Sequence, residues 1–297
     1  MIKKLKYQNI AWIDVTGTTR DEAFDLSQQY SLHAVTTEEL WHPIGRSKID
    51  WYEGYLSLTL RFPTPDHQDG EINFILGQNW LITTHSEPVQ ALSEFSQILE
   101  NKTDHQKEKE FHAGHLFYYI IRNLYAPLEN ELDNLNRQLK RSEEKIFSGF
   151  EAEMVRDLSQ INRRLLDIKW DLKFHREVLR SLALVTKDFY GEKFDHYAQA
   201  INNEYERISE LVKTNREIFV ELQSTNESLL TIKNGQTMRT LTALAFVFMP
   251  ATLVSFIFGM SGSEKIVQSE TGWYGVLILM ISVATAMAIF AKYKKWI

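Results

Sequence analysis

Two stretches near the end of the chain contain no charged residue. Residues 241–260 form a run of 20 and residues 273–291 a run of 19, in a chain of 297 residues. A helix of about 20 apolar residues is long enough to cross the roughly 30 Å hydrocarbon core of a membrane. The sequence therefore predicts two membrane-spanning helices, at 241–260 and 273–291, with an acidic soluble part before them.

Basic residues flank the two predicted spans on the same side. Lys233 and Arg239 precede the first span, and the tail 292–297, which follows the second, holds three lysines. The connection 261–272 holds one lysine against two glutamates. Because loops and tails rich in lysine and arginine stay on the cytoplasmic side, we expect both termini to be cytoplasmic and 261–272 to be an extracytoplasmic loop.

The composition excludes several classes of function. The chain has 39 acidic and 33 basic residues and a formal net charge of −6, whereas binding to nucleic acid requires a basic face. There is no cysteine, which excludes disulfides, thiolate metal sites and cysteine nucleophiles. The sequence offers neither a glycine-rich phosphate loop nor a positioned catalytic triad, so we expect neither an enzyme nor a bound cofactor.

Residues 1–104 have the pattern of an α/β domain. Apolar or alternating runs predict strands, and the intervening segments predict helices. The strands are expected at 10–15, 55–62, 72–76 and 80–84, and the helices at 21–30 and 88–100. We expect a small mixed sheet with helices packed against it, within an overall α+β fold.

Residues 105–192 predict a helical pair, at 108–147 and 151–185, because apolar residues recur there near a seven-residue period. A third helix is expected from about residue 193 to residue 260, with a stalk at 193–240 that continues into the first span. At 1.5 Å per residue that helix is roughly 100 Å long. Such a continuous helix is able to carry a cytosolic event directly to the membrane.

One face of the first span is a stripe of small, hydroxylated and flexible side chains at intervals of three or four residues. The stripe consists of Met238, Leu241, Ala245, Met249, Thr252 and Ser255. Two interpretations are open. The stripe lines a pore formed by several chains, since two spans cannot enclose an aqueous path, or it is a helix interface rich in small residues.

Short motifs around the two spans carry a resemblance to a known family. Phe-Met-Pro at 248–250, Phe-Gly-Met at 258–260, Gly-Trp-Tyr-Gly at 272–275 and the end Lys-Lys-Trp-Ile at 294–297 closely resemble the CorA family of divalent metal cation transporters, which includes ZntB-like zinc transporters. The resemblance implies a funnel-shaped homopentamer in the cytoplasmic (inner) membrane, with the first spans lining a pore and the second spans surrounding them.

The family motif at the outer end of the first span is Gly-Met-Asn, and here it is Gly259, Met260 and Ser261. The resemblance implies that these residues form a selectivity motif, with Glu264 and Glu270 as candidate acids of the outer loop. A serine ring still offers oxygen atoms, but on shorter side chains and without the amide.

The resemblance implies transport of divalent metal cations. Mg2+ is the family default, while Zn2+, Co2+ and Ni2+ stay open because of Ser261. An alternative is an oligomeric scaffold or sensor, anchored in the membrane, that has this fold and conducts little or nothing.

Two sets of residues in the soluble part are candidate metal ligands. His112 and His115 lie three residues apart on a predicted helix and offer a zinc site, although surface histidines are common. The resemblance also implies inhibitory cation sites between subunits, but Ala200 and Asn203 stand where the stalk carboxylates belong, which leaves only the opposing acids, Asp66 and Asp69.

Overall fold

The computed structural model describes residues 1–63, 70–101, 111–259 and 270–294. The chain divides into two compact units, Met1–Leu222 and Gln223–Ile297. One long helix, Asp195–Gly259, contributes to both units. The expectation of an α+β domain followed by long helices and two C-terminal apolar helices is confirmed.

The first unit begins with six strands and three short helices. The strands are β1 (Ile2–Tyr7), β2 (Ile10–Thr16), β3 (Lys48–Tyr52), β4 (Tyr55–Arg61), β5 (Glu71–Leu76) and β6 (Trp80–His85). The helices are α1 (Arg20–Tyr30), α2 (Ala34–Trp41) and α3 (Gln90–Asn101). Four longer helices follow: α4 (Ala113–Phe147), α5 (Glu151–Asp171), α6 (His175–Tyr190) and α7 (Asp195–Gly259). Helix α8 (Glu270–Tyr293) is the last described element.

The strands form one mixed sheet in the order β1-β2-β6-β5-β4-β3. Only β2 and β6 pair in parallel, and the other neighbours are antiparallel. The central strands β4, β5 and β6 are buried on both sides of the pleat, and β5 is buried along its whole length. A strand that is buried on both faces requires layers on both sides of the sheet.

The two faces of the sheet are covered by different helices. On one face, Ile13, Val15 and Ile82 form a core with residues of α1 and α2. On the other face, Phe74 of β5 meets Phe117 of α4 edge to face, with 5.2 Å between the ring centroids. The alternation of side chains along each strand therefore fills two separate cores.

Three elements of this domain were not predicted: β1, β3 and α2. The strands β1 and β3 lie at the two edges of the sheet and carry lysine side chains, so neither has a buried apolar pattern. Lys3 of β1 donates to Ser96 of α3 at 2.8 Å, and Lys48 of β3 pairs with Glu39. Charged residues at exposed edges are the usual protection of a sheet against further pairing, and they conceal the strand in the sequence.

The region 105–192 is more divided than the predicted pair of helices. The predicted helix 151–185 is interrupted by a 3-10 turn, Leu172–Phe174, and a separate helix α6 continues to Tyr190. The chain turns at Gly191, which has a positive φ. The interruption coincides with His175, whose ring is anchored to the sheet.

Helices α4 and α7 run side by side in the same direction in the first unit. Arg207 of α7 pairs with Glu129 of α4, and Asn136 of α4 donates to Asn215 of α7 at 2.9 Å. The Asn215 amide also donates to the carbonyl of Leu132 at 3.0 Å, in a place where Asn215 is almost fully buried. A buried amide must be satisfied, so this pair fixes the register of the two helices.

His175 connects the helices to the sheet. Its Nε2 lies 2.8 Å from the carbonyl oxygen of Arg61, at the end of β4, and its Nδ1 lies 2.7 Å from the hydroxyl of Tyr125 on α4. Because a carbonyl only accepts, Nε2 carries the proton, and Nδ1 accepts from the tyrosine. The ring is fully buried, and this burial lowers the pKa of His175 to about 4.

We therefore expect stability to fall between pH 6.5 and pH 4. The unfolded chain binds a proton at His175 near pH 6.5, whereas the folded chain resists protonation until about pH 4. Stability from this group is complete above pH 6.5 and decreases by roughly 3 kcal/mol as the pH falls to 4. The measurement is thermal unfolding of the full-length protein in detergent, for wild type and His175→Gln.

Glutamine keeps a donor for Arg61 and an acceptor for Tyr125 but does not titrate. The difference in melting temperature between wild type and His175→Gln should therefore change with pH in this window. A difference that is constant from pH 7.5 to pH 4 would contradict the assignment.

Candidate functional site

Two described helices, α7 and α8, are long and apolar enough to cross a membrane by length and composition. Helix α7 continues without a break through Pro250 to Gly259. Helix α8 begins at Glu270, so this predicted loop acid is the first residue of a helix.

Helix α8 packs antiparallel against one side of the apolar part of α7. Phe246 and Phe290 lie with their ring centroids 6.1 Å apart, and Ser255 lies 3.3 Å from the sulfur of Met280. Ala243 of α7 and Ala291 of α8 are fully buried. Small side chains at these positions let the two helices approach closely, which is the usual way that helices pack in a membrane.

The predicted stripe lies on the side of α7 that faces away from α8. Ala245 follows the buried Ala243 by two residues, or about 200° around the helix. The side chains of Met238, Leu241 and Met249 are 60%, 60% and 76% exposed in the single chain. Helix α8 therefore leaves most of this face uncovered, and only Ser255, at its edge, contacts α8.

The two hydroxyl groups of the stripe differ in direction. The hydroxyl of Thr252 donates to the carbonyl of Phe248 at 2.9 Å, so its proton is used within the helix and its oxygen remains an acceptor. The hydroxyl of Ser255 lies 3.2 Å from the carbonyl of Ala251 and 3.3 Å from the sulfur of Met280. Ser255 is thus turned toward α8, at the edge of the face on which Thr252 lies.

Several predicted site residues fall outside the described residues. Helix α7 ends at Gly259. Met260, Ser261, Glu264, Asp66 and Asp69 all lie outside the described ranges.

His112 and His115 act as the N-terminal cap of α4. The Nδ1 of His112 accepts from the backbone N–H of Gly114, and the Nδ1 of His115 accepts from the backbone N–H of His112, each at 3.2 Å. The His112 ring also stacks on Tyr190, with 4.1 Å between centroids. Each histidine therefore uses one ring nitrogen in a reciprocal capping box, which is a structural role.

The first unit, Met1–Leu222, also contains a polar cavity of about 140 Å³ near the carboxyl ends of β2 and β6. Its two acids have structural partners. Glu71 accepts from the backbone N–H groups of Ile44 and Gly45 at 2.9 and 2.7 Å, and Glu39 pairs with Lys48. Within the described residues, no group of three or more histidine, aspartate or glutamate side chains is arranged to hold a metal ion.

An α+β domain, long helices and two apolar C-terminal helices define a membrane protein with a large soluble part. The family model described as "CorA-like Mg2+ transporter protein" matches residues 7–295. The chain therefore belongs to the CorA family of divalent-cation transporters. The resemblance found in the motifs around the two spans is confirmed.

Relatives and solved structures support this assignment. The chain is 24% identical to the cobalt/magnesium transport protein CorA of Thermotoga maritima over 96% of this chain and 83% of that protein. It is 22% identical to the putative metal ion transporter YfjQ of Bacillus subtilis, over 99% and 93%.

Two solved structures share the fold. The CorA magnesium transporter from Methanocaldococcus jannaschii matches with a TM-score of 0.81 at 19% identity, over 99% of this chain and 94% of that one. The ZntB cytoplasmic domain from Vibrio parahaemolyticus matches with a TM-score of 0.62 at 17% identity, over 74% and 88%.

The capping role of His112 generates a prediction. His112→Ala should lower the stability of the full-length protein by about 1 kcal/mol, because the N–H of Gly114 loses its acceptor. His112→Asn should recover most of this loss, since asparagine is among the best N-cap residues. The measurement is the melting temperature in detergent, and equal values for the two variants would show that the capping bond contributes little.

Proposed function

We propose that the chain assembles as a homopentamer in the cytoplasmic membrane and conducts divalent metal cations along a central pore. Mg2+ is the first ion to test, because the family description and the names of the relatives refer to magnesium. Co2+ is named for the same relatives, and a ZntB domain shares the fold, so Co2+, Zn2+ and Ni2+ are tested beside it.

The proposal is based on the exposed face of α7. In one chain, α8 covers the side of α7 that contains Ala243, and Met238, Leu241 and Met249 of the stripe are exposed on the opposite side. If five copies surround an axis with α8 outside, the stripe faces that axis. In this arrangement the uncovered row of methionine, leucine, alanine and threonine side chains lines the pore. A surface that faces only lipid would not require such a row.

The chemistry of the stripe suits a gated path for hydrated ions. Rings of Met238, Leu241 and Met249 form apolar collars, and a narrow apolar collar closes by excluding water. The oxygen of Thr252 remains an acceptor because its proton is bound to the Phe248 carbonyl. A ring of such oxygens can accept hydrogen bonds from the water around a cation.

The outer end of the proposed pore is formed by Gly259, Met260 and Ser261. The end of a helix carries unpaired carbonyls and about half a negative charge, so five helix ends around an axis attract cations. Glu264 and Glu270 add further negative charge there. The serine in place of the family's asparagine leaves the identity of the ion open, since a shorter ligand changes how the hydration shell is held.

The proposed orientation places both termini in the cytoplasm. Lys233 and Arg239 before the first span and the lysines after the second are on one side, and the glutamates at 264 and 270 are on the other. The positive-inside rule assigns the lysine-rich side to the cytoplasm.

Cation flux into liposomes that hold the purified protein tests this function. Mg2+, Zn2+, Co2+ and Ni2+ are compared at matched gradients, with and without a pH difference. Selective entry of one ion identifies the transported ion and shows whether protons are coupled to it. Vesicles that contain intact oligomers and admit none of the four ions would support a scaffold or sensor instead.

A pair of matched variants tests the pore face. Met249→Ala should increase the flux several-fold, because it widens an apolar collar. Leu244→Ala is the control: Leu244 is also exposed on the same helix, but it lies five residues earlier and about 140° around the helix. Equal effects of the two substitutions, measured at equal protein density in the vesicles, would show that Met249 does not line the path.

A further inference from the structure

One polar residue interrupts the buried stripe of α4. The stripe consists of Leu128, Leu132, Leu135, Leu139, Ser142 and Ile146, at intervals of three or four residues. Ser142 is only 5% exposed, so it occupies a core position like the leucines before it. Because a serine side chain is much smaller than a leucine side chain, the stripe leaves space at this level between α4 and α5.

A polar cleft of about 300 Å³ lies at this level between the two helices. Its lining residues are Gln138, Arg141, Ser142 and Lys145 of α4 and Asp157, Gln160 and Ile161 of α5. We call this space the α4–α5 cleft. The four residues of α4 follow one another at helical spacing and therefore share one face of the helix. The volume is at the lower end of the range for small-molecule sites, which is about 300 to 1,000 Å³.

The hydroxyl of Ser142 lines the cleft without a protein partner. Within the described residues it makes no hydrogen bond. Two other serines in this pair of helices do make one: Ser148 donates to the carbonyl of Glu144 and Ser159 to the carbonyl of Val155, each at 2.7 Å. A buried hydroxyl normally has a partner, so the hydroxyl of Ser142 indicates a ligand in the cleft.

The two walls of the cleft carry opposite charges. Arg141 and Lys145 lie on the α4 wall, and Asp157 lies on the α5 wall. In the described part of the chain none of these three side chains forms an ion pair, whereas Arg164 of α5 binds Glu131 of α4. The two cations are therefore available to an anionic group, and the carboxylate is available to a hydrogen-bond donor.

We propose that the α4–α5 cleft binds a small phosphate ester that also carries hydroxyl groups, such as a sugar phosphate. The guanidinium of Arg141 donates to two phosphate oxygens at once, because its geometry matches that of the phosphate. The ammonium of Lys145 binds a further oxygen as a point charge. The hydroxyl of Ser142 donates to the same phosphate group.

The α5 wall selects an ester over a free phosphate ion. The carboxylate of Asp157 repels an ionised phosphate oxygen beside it but accepts hydrogen bonds from the hydroxyl groups of a ligand. Ile161 offers an apolar surface to the carbon atoms of a sugar ring. All residues of the cleft lie in the first unit, Met1–Leu222, so the inference does not depend on the proposed pore.

Isothermal titration calorimetry of the full-length protein in detergent tests the site. The ligands are ribose 5-phosphate, ribose and inorganic phosphate, each at the same pH and ionic strength. Ribose 5-phosphate should bind and should raise the melting temperature. Inorganic phosphate should bind about tenfold more weakly, because it offers no hydroxyl groups of a sugar to Asp157. Ribose, which lacks the phosphate, should not bind.

Matched substitutions on α4 test the charged wall. Lys145→Gln should weaken the binding of ribose 5-phosphate about tenfold, because it removes a charge-assisted hydrogen bond. Lys140→Gln is the control, because Lys140 is also an exposed lysine of α4 but lies about 140° around the helix from Lys145. Lys140→Gln should change the affinity by less than about twofold.

Substitutions of Ser142 test the position of the ligand. Ser142→Leu should abolish binding because it fills the cleft, and it should raise the melting temperature of the protein without ligand because it completes the apolar stripe. Ser142→Ala removes only the hydroxyl, so it should leave the melting temperature unchanged and weaken binding about threefold or more. The alanine variant keeps the test valid if the larger leucine disturbs the packing.

The inference is overturned if ribose 5-phosphate at millimolar concentration produces neither a heat of binding nor a shift in the melting temperature. Equal weakening by Lys140→Gln and Lys145→Gln would also overturn it, since that result indicates attraction to the general charge of α4. Binding of ribose or of inorganic phosphate as tight as that of the ester would contradict the roles given to the two walls. These results do not involve cation flux, so the inference and the proposed function stand or fail separately.

Discussion

The continuity of helix α7 from Asp195 to Gly259 is the constraint on which both units depend. Within the first unit the helix buries one face against α4, where the amide of Asn215 is satisfied by Asn136 and by the carbonyl of Leu132. Beyond Gln223 the same helix packs the side that contains Ala243 against α8. A backbone group in lipid finds no partner outside its own helix, so the apolar part has no alternative to helix. Pro250 removes one donor from this ladder without ending the helix.

The sequence predicts those elements whose burial is decided locally. Strands β2, β4, β5 and β6 are predicted because apolar residues run or alternate along them, and the two spans because they lack charge. The edge strands β1 and β3 were missed because their lysines make ion pairs and hydrogen bonds with α3 and α2, which no local pattern reveals. The break at Leu172–Phe174 was missed for a similar reason: His175 is held by Arg61, more than a hundred residues earlier.

For the candidate site, too, the sequence predicts what is determined locally and misses what depends on distant contacts. The period of the stripe predicts six residues of one helix face, and Met238, Leu241 and Met249 of this face are exposed in the single chain. The period in the sequence does not show that Ser255 turns toward Met280, because this contact depends on the neighbouring helix α8. The spacing of His112 and His115 alone predicts candidate ligands, whereas the cap that they form depends on where the helix begins.

The exposed stripe raises the question of what would hold five copies together. Lipid chains are as apolar as methionine or leucine, so association of the stripe in the membrane gains little from the hydrophobic effect. An interface of this kind relies on close packing and on contacts made in water. Side chains such as Met249 and Leu241 are well suited to line a path for the same reason: no strong attraction between them has to be broken when the collar widens. In the proposed pentamer, association would then depend more on contacts made in water than on the stripe, and the stripe would determine the opening of the pore.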